Sequence, residues 1–262
     1  MNKLKDKVAV IYGNGALGGA IAKTFALEGA KVFLAGKTSA KLKAIADKIL
    51  SEGGTVETAQ LDALDEKAVE KHMNEIIKKA GKIDISFNAI GIPQTGIQGI
   101  PLTELSVESF SLPIITYTKS HFITSKAAAS RMIKQGNGVI LMHTPTLSRI
   151  SVPCVGGMAP AWAAMEALSR SLSVEYGENG LRSVCLITTG IPETPLIDEA
   201  FGIHGKIYGI TYEQFRSMTE GLTHRKRLTT LKEFTDAALF AASDEGSAIT
   251  GTTLNLTAGV IV

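Results

Sequence analysis

The sequence predicts an α/β protein in which a doubly wound parallel β-sheet carries helices on both faces. Seven short apolar segments alternate with helical segments along the chain, and five of the seven are rich in Val, Ile or Leu without polar alternation. Alternation of this kind requires right-handed crossover connections, which place the strands side by side in one sheet. The length of 262 residues fits one such domain.

The apolar segments define the predicted strands as residues 8–12, 31–35, 55–60, 83–88, 138–143, 183–187 and 253–256. Segment 55–60 alternates apolar with polar residues and is the weakest of these predictions. Helical spacing occurs at residues 18–28, 39–51, 65–80 and 163–176. Residues from about 190 to 221 are rich in Pro, Gly and aromatic side chains, and we interpret them as a substrate lid, a loop without function being the alternative.

Composition excludes several classes of function. Lys and Arg number 27 against 25 Asp and Glu, so we expect no nucleic-acid partner. No apolar run approaches the roughly 20 residues that span a bilayer, so we expect no membrane association. Cys154 and Cys185 lie far apart without metal-ligand spacing, which predicts no metal site and a reducing compartment. Residues 1–7 run directly into a strand, so we expect no signal peptide and a cytoplasmic protein.

A glycine-rich motif follows the first predicted strand at once. Its GxGxxG pattern is formed by Gly13, Gly15 and Gly18, and Asn14 and Leu17 lie within it. The first glycine permits a tight turn, the second lets a pyrophosphate approach the backbone, and the third lets the helix pack closely. The phosphates then meet unpaired N–H groups at a helix N-terminus. The motif predicts a Rossmann-type domain that binds a dinucleotide through these five residues.

The end of the second predicted strand indicates which dinucleotide is bound. NAD-binding domains usually carry an acid roughly 20 residues beyond the glycine motif, where it binds the ribose 2′-hydroxyl. Gly36, Lys37 and Thr38 occupy this stretch, which has no carboxylate. The positive charge of Lys37 and the hydroxyl of Thr38 would attract a 2′-phosphate. We therefore predict NADP(H) in preference to NAD(H), a solvated Lys37 at a helix start being the alternative.

The order of these motifs resembles that of the short-chain dehydrogenase/reductase family over essentially the whole chain. Beyond the glycine-rich turn, the matching motifs are Leu61-Asp62, Asn88-Ala89-Ile90-Gly91, Gly138-Val139-Ile140, residues 171–175 and Ile249-Thr250-Gly251. The resemblance implies a nicotinamide-dependent oxidoreductase with a small-molecule substrate. It further implies an adenine site at Asp62 and Ala63, a ribose wall at Asn88, Ala89 and Gly91, and a nicotinamide site at Gly190, Ile191 and Thr194.

The catalytic positions of that family are occupied by different residues here. Family members use a Tyr as proton donor, a Lys four residues later, an upstream Ser and an Asn on the preceding helix. The matching motifs place Met158 at the Tyr position, Trp162 at the Lys position, Pro145 at the Ser position and Tyr117 at the Asn position. A shifted register does not restore the set, because no tyrosine of the chain has a lysine four or seven residues later.

Substitute groups lie nearby in the sequence. Tyr117 is a candidate proton donor, with His121 one helical turn later, and Thr144 or Thr146 is a candidate for orienting a carbonyl, with His143 beside them. Packing roles for these residues are the alternative. We expect Met158 and Trp162 to form an apolar wall beside the nicotinamide.

Two functions follow from this pattern. The first is an atypical NADP(H)-dependent oxidoreductase that transfers hydride to or from a small apolar carbonyl or activated alkene. The second is a non-catalytic NADP(H)-binding protein that acts as a sensor or an assembly subunit. The aromatic lid favours the enzyme. The family resemblance also implies a homo-oligomer, a dimer or more specifically a tetramer, that pairs through helices at residues 112–135 and 159–176 and through the C-terminal segment.

Overall fold

A computed structural model of the chain describes residues 2–260. Within them, seven parallel strands form one sheet in the order β3-β2-β1-β4-β5-β6-β7, which confirms the predicted fold class. The strands are β1 (Val8–Tyr12), β2 (Lys31–Gly36), β3 (Thr55–Gln60), β4 (Ile85–Asn88), β5 (Gly138–Pro145), β6 (Leu181–Thr188) and β7 (Thr252–Leu256). The alternating strand β3 lies at an edge of the sheet, where solvent reaches part of it.

Helices connect these strands and cover both faces of the sheet. They are α1 (Ala16–Leu27), α2 (Ser39–Ser51), α3 (Glu66–Ala80), α4 (Val107–Gln135), α5 (Met158–Tyr176), α6 (Pro195–Ile207), α7 (Tyr212–Leu222) and α8 (Leu231–Ala242). Helix α2 has the predicted bounds, whereas α5 begins at Met158 and not at residue 163. The early start is possible because Pro160 lies in the first turn, where a missing N–H costs no intrahelical bond.

Alternate residues of the strands feed two apolar cores, one on each face of the sheet. In β1, Val10 and Tyr12 belong to the core that α3, α4 and α5 cover. Ala9 and Ile11 belong to the core that α1, α2 and α8 cover. Because side chains alternate along a strand and both faces are buried, every position of β1 is apolar.

The segment at about 190–221, which the sequence predicts to be a lid, forms two helices, α6 and α7, and not an irregular loop. Phe201 of α6 packs against Tyr212 and Phe215 of α7, with ring centroids 6.2 and 5.3 Å apart. A capping box formed by Thr211 and Gln214 starts α7. The aromatic residues of this segment therefore form a small core that joins the two helices.

The position of a ligand site follows from the strand order. β1 lies between β2 and β4, so the chain leaves β1 in one direction and returns to its other side. In such sheets, ligands bind in the crevice at the carboxyl ends of the strands where the order reverses. That crevice opens after Tyr12 and Asn88.

No helix within 2–260 is both long enough and apolar enough to cross a membrane. Over the same residues, no group of three or more His, Cys, Asp or Glu side chains is arranged to hold a metal ion.

Candidate active site

The fold requires glycine at two of the three positions in the motif after β1, but not at the third. Gly13 has φ 113°, and a Cβ there would lie 2.6 Å from the carbonyl carbon of Ala89. A Cβ on Gly18 would lie 1.9 Å from the carbonyl oxygen of Gly13, so the fold itself requires both glycines. Gly15 has φ −83°, and a Cβ there would meet nothing within 4 Å. Since the protein does not require Gly15, its open space fits a ligand that approaches the backbone.

Several helices around the crevice begin without a side-chain cap. Gly15 precedes α1, and Thr38 precedes α2 without using its hydroxyl as a cap. Thr194 precedes α6, but its hydroxyl donates to the carbonyl of Ile191 at 2.8 Å. Helix α5, after Gly157, also lacks a side-chain cap. Side chains do cap the other four helices, through Asp65, Ser106, Thr211 and Thr230. The uncapped N-termini of α1, α2 and α6 belong to three of the five predicted cofactor segments, and their unpaired N–H groups suit phosphate oxygens.

An ion pair lies at the predicted adenosine end of the crevice. Lys37 Nζ is 2.9 Å from Asp62 Oδ2, and both side chains are exposed to solvent. Partial burial raises the pKa of Asp62, but the hydrogen bonds from Lys37 and from the Leu64 amide outweigh it, so the pKa is lowered overall. Lys37, which is predicted to bind the 2′-phosphate, and Asp62, which is predicted to contact the adenine, therefore pair with each other. Ala63 beside them is buried.

Asn14 fixes the turn between β2 and α2. Its amide donates to the carbonyl of Thr38 at 2.9 Å. A Cβ at Gly36 would lie 2.7 Å from the Asn14 side chain, so only glycine leaves room for this contact. The turn is thereby held close to the glycine-rich motif, with Lys37 and Thr38 both exposed.

The predicted ribose wall lies directly after β4. The buried Asn88 side chain accepts a bond from the Ile90 amide at 3.0 Å and donates to Thr124 at 3.2 Å. Helix α6 packs against this wall at Gly91, because a Cβ on Gly91 would lie 2.6 Å from a methyl carbon of Leu196. On the predicted nicotinamide side, Gly190, Ile191 and Thr194 are all buried.

Side-chain hydrogen bonds join helix α6 to the segment that follows β4. Glu199 Oε1 accepts hydrogen bonds from the Gln94 amide at 3.0 Å, from the Thr95 amide at 2.8 Å and from the Thr95 hydroxyl at 2.8 Å. Farther along α6, His204 Nε2 lies 2.8 Å from the side-chain oxygen of the buried Gln98. Sequence analysis missed these residues, because more than 100 positions separate the partners and no local motif marks them.

Tyr117, Met158 and Trp162 come together between α4 and α5. Met158 is fully buried, and the rings of Tyr117 and Trp162 have centroids 6.4 Å apart. Burial raises the pKa of Tyr117 to about 12, and the backbone of Ile92 opposes part of this rise.

His121 lies one turn beyond Tyr117 and is also buried. Its Nδ1 is 2.9 Å from the backbone carbonyl of Tyr117, whereas its Nε2 has no hydrogen-bond partner among the described residues. Burial lowers the pKa of His121 to about 4, so the imidazole is neutral at physiological pH.

The two candidate threonines have different surroundings. The fully buried Thr144 donates to Glu166 Oε1 at 3.2 Å and contacts Cys185. The buried Glu166 also binds Ser148 and Arg149, a network that the sequence did not predict. Thr146 is buried at the first residue of a short 3₁₀ turn after β5, and its hydroxyl makes no hydrogen bond to another described residue.

His143 and Pro145 lie at the end of β5. His143 Nε2 is 2.9 Å from the Thr188 hydroxyl, and its ring stands edge-on to Phe234 with centroids 4.9 Å apart. Burial lowers the pKa of His143 to about 4. Pro145 is the last residue of β5, so it lies at the same edge of the sheet.

Comparisons with known proteins agree with this architecture. Residues 13–260 match a family model described as enoyl-(acyl carrier protein) reductase. An uncharacterized oxidoreductase of Bacillus subtilis is 33% identical over 263 residues, which cover 100% of this chain and 93% of the relative. The crystal structure of levodione reductase is 25% identical with a TM-score of 0.86, covering 97% of each chain. Carveol dehydrogenase from Mycobacterium avium in complex with NAD is 22% identical with a TM-score of 0.89, covering 99% of each chain, and shows the shared fold.

Proposed function

Since this chain belongs to the short-chain dehydrogenase/reductase family and is an oxidoreductase of that type, we propose that it transfers hydride between NADP(H) and a small apolar carbonyl or activated alkene. The observation that carries the proposal is the open space at Gly15 between two glycines that the fold requires. A reduced nicotinamide, when bound, supplies the hydride, while the protein supplies binding and orientation.

Three groups of residues around the crevice would each bind a different part of the cofactor. The amides that follow Gly13 and Gly15 would bind the pyrophosphate at the uncapped start of α1. Asn88 and Gly91 would line the ribose, and the start of α6 at Thr194 would lie beside the nicotinamide. The bound NAD named for carveol dehydrogenase supports a dinucleotide at the corresponding place in this fold.

Three observations favour NADP(H). The turn after β2 has no carboxylate to bind a free 2′-hydroxyl. Thr38 leaves the N-terminus of α2 uncapped, and the first turn of that helix has no acid. Lys37 stands beside it, and its ion pair with Asp62 is solvent-exposed, so exchanging the carboxylate for a phosphate costs little.

The substrate would lie against an apolar surface. Met158, Trp162, Ile92 and Val155 are buried members of one apolar core together with Tyr117, and we place the substrate beside this core. Apolar walls with few polar groups are typical of sites for small apolar ligands.

Within this surface we assign Tyr117 as the proton donor and Thr146 as the group that orients a carbonyl. Thr144 is engaged with Glu166, so we assign it the structural task of joining β5 to α5. We propose that α6 and α7 are the substrate lid, because Leu196 reaches the ribose wall at Gly91.

The experiment is the loss of NADPH absorbance with a panel of apolar ketones, quinones and enones. The proposal predicts turnover with at least one of these compound classes, reduced about 100-fold or more in Tyr117→Phe. The matched control is Tyr176→Phe, at the far end of α5. Tight NADPH binding without turnover of any compound would instead favour the non-catalytic alternative.

We further propose that the chain forms a homo-oligomer through α4 and α5. Leu112, Ile115 and Phe122 of α4 are 49%, 58% and 54% exposed, and their spacing places them along one stripe of the helix. A stripe of this kind on a soluble protein marks an interface. Light scattering is expected to give the mass of a dimer or tetramer, and Phe122→Asp is expected to lower it.

A further inference from the structure

A buried carboxylate joins α5 to the turn that carries Thr146. The side chain of Glu166 is only 5% exposed. Its Oε1 accepts hydrogen bonds from the hydroxyl of Thr144 at 3.2 Å and from the hydroxyl of Ser148. Its Oε2 accepts from Arg149 Nε at 2.9 Å. These donors precede and follow Thr146 in the chain, so Glu166 binds both ends of the stretch that contains it.

The backbone of the turn sets its shape but not its place. Thr146–Ser148 forms one turn of 3₁₀ helix, and the amides of Arg149 and Ile150 donate to the carbonyl of Thr146 at 2.9 and 3.0 Å. Both bonds remain within the turn. The bonds to Glu166 cross from the turn to α5, so they determine where the turn lies relative to that helix.

The hydroxyl of Thr146 makes no hydrogen bond to another described residue, although the residue is buried. Its position therefore follows that of the turn. Met158, Trp162 and Glu166 are four residues apart on α5, which places them along one side of the helix. The carboxylate thus lies one helical turn beyond the apolar wall that Met158 and Trp162 are expected to form.

We propose that Glu166 is a positioning residue of the reaction, which holds the turn after β5 so that the hydroxyl of Thr146 meets the substrate carbonyl in one orientation. This inference rests on the proposed function, in which Thr146 orients a carbonyl, and adds a residue that acts through the turn. The physical reason is precision, because a misplacement of about 1 Å from the productive geometry costs about 100-fold in rate.

Arg149 extends the same network to the edge of the sheet. Its Nη2 lies 2.8 Å from Glu166 Oε2 and donates to the hydroxyl of Thr253 on β7 at 2.6 Å. A buried carboxylate is stable only where several donors surround it. Because these donors come from β5, the turn and the residue after it, the charge can be satisfied only while the turn is in place.

Two conservative substitutions release the turn. Glu166→Gln keeps the side-chain volume but replaces one acceptor oxygen by an NH₂ group, so it cannot accept from the hydroxyls and from Arg149 together. The hydroxyl of Ser148 still has an acceptor in this variant, because the carbonyl of Pro145 lies 3.0 Å away. Ser148→Ala removes one donor and leaves the other bonds of Glu166 in place.

The matched control is Ser169→Ala. Ser169 is a buried residue of α5, and its hydroxyl lies 2.9 Å from that of Ser183 on β6. This substitution also removes a buried hydrogen bond between α5 and the sheet, but it leaves the turn at Thr146 untouched. Circular dichroism identifies any variant that fails to fold.

The first test measures steady-state NADPH turnover with a substrate that the unaltered protein reduces. Glu166→Gln and Ser148→Ala should each lower kcat at least 10-fold, whereas the Kd of NADPH should change by less than about twofold. The double variant should fall no further than Glu166→Gln alone, because both changes release one turn. Ser169→Ala should keep the kcat of the unaltered protein.

Equal kcat values in folded Glu166→Gln and Ser169→Ala would overturn this inference and leave the proposed oxidoreductase standing. Absence of turnover by the unaltered protein would overturn the proposed function, and the positioning role with it.

The second test observes Thr146 directly and needs no turnover. Carbon-13 labelling of threonine methyl groups gives each threonine an NMR signal, and Thr146→Ser identifies that of Thr146 by its loss. This signal should shift in Glu166→Gln and Ser148→Ala and should stay unchanged in Ser169→Ala. An unchanged Thr146 signal in both turn variants would show that Glu166 does not position the turn and would overturn the inference.

Discussion

The ammonium nitrogen of Lys37 lies 2.9 Å from a carboxylate oxygen of Asp62, which joins the turn after β2 to the turn after β3. The sequence predicts that Lys37 binds the 2′-phosphate of the cofactor and that Asp62 contacts the adenine. The proposed binding of NADP(H) would therefore replace an existing ion pair and would not recruit an unpaired charge. The gain in binding free energy from the 2′-phosphate would be the difference between two exposed pairings, which is moderate.

Replacing Lys37 tests that difference. Lys37→Ala is expected to weaken NADPH binding about 10-fold and to change NADH binding by less than about twofold, because only NADPH carries the 2′-phosphate. Lys43→Ala is the matched control, since Lys43 is an exposed lysine on α2 whose partner is Asp47. Equal losses for both cofactors would contradict the assignment of Lys37.

The glycines of the first turn predict opposite results for two similar substitutions. Gly15→Ala should leave the free energy of unfolding unchanged or slightly higher, because its Cβ meets nothing and its φ suits alanine. The same change should weaken NADPH binding at least 10-fold, since the methyl group occupies the space for the pyrophosphate. Gly18→Ala should lower the free energy of unfolding by about 1–3 kcal/mol through its clash with Gly13.

Denaturant titration and cofactor titration on both variants separate these effects. If Gly15→Ala binds NADPH as well as the unaltered protein does, the open space at Gly15 does not hold the pyrophosphate, and that assignment is wrong.

The sequence predicts the local structure around the site but not the contacts between distant segments, and the reason is physical. The glycine pattern and the alternation of apolar with helical segments are local signals, and the turn and the sheet that they predict are confirmed. The bond from Thr144 to Glu166 and the bonds from Thr95 to Glu199 join distant segments, and their side chains have no periodicity. Such contacts depend on the packing of whole elements, so no single stretch of sequence reveals them.

Glu199 is predicted to control the stability of α6. Glu199→Ala removes the acceptor of the Gln94 and Thr95 amides, so hydrogen exchange at these amides and in α6 should accelerate about 10-fold, as expected for the loss of about 1.4 kcal/mol. The substitution Glu213→Ala, on the exposed side of α7, is the control. Unchanged exchange in Glu199→Ala would show that the apolar contacts of Leu196 alone hold the helix.

Buried histidines make stability depend on pH. Burial lowers the pKa of His72, His121 and His143 to about 4, against an ordinary value of 6.5. The unfolded chain therefore binds more protons than the folded protein between pH 6.5 and about 4. The free energy of unfolding should be highest above pH 6.5 and should fall as the pH drops through this window.

His72 isolates one part of this effect. Its Nδ1 lies 3.2 Å from the hydroxyl of Tyr12, which is fully buried. In His72→Gln, the fall in the free energy of unfolding between pH 6.5 and 4.5 should be smaller, because one of the groups that gain a proton on unfolding is gone. An unchanged slope in His72→Gln would contradict the assignment.

The central claim is that the amides at the start of α1 and the turn around Lys37 together hold a phosphorylated dinucleotide. Isothermal titration calorimetry of the unaltered protein with NADPH and NADH tests it most directly. The account predicts saturable binding of NADPH, with an affinity about 10-fold or more above that of NADH. The absence of heat with either cofactor at millimolar concentration would contradict it.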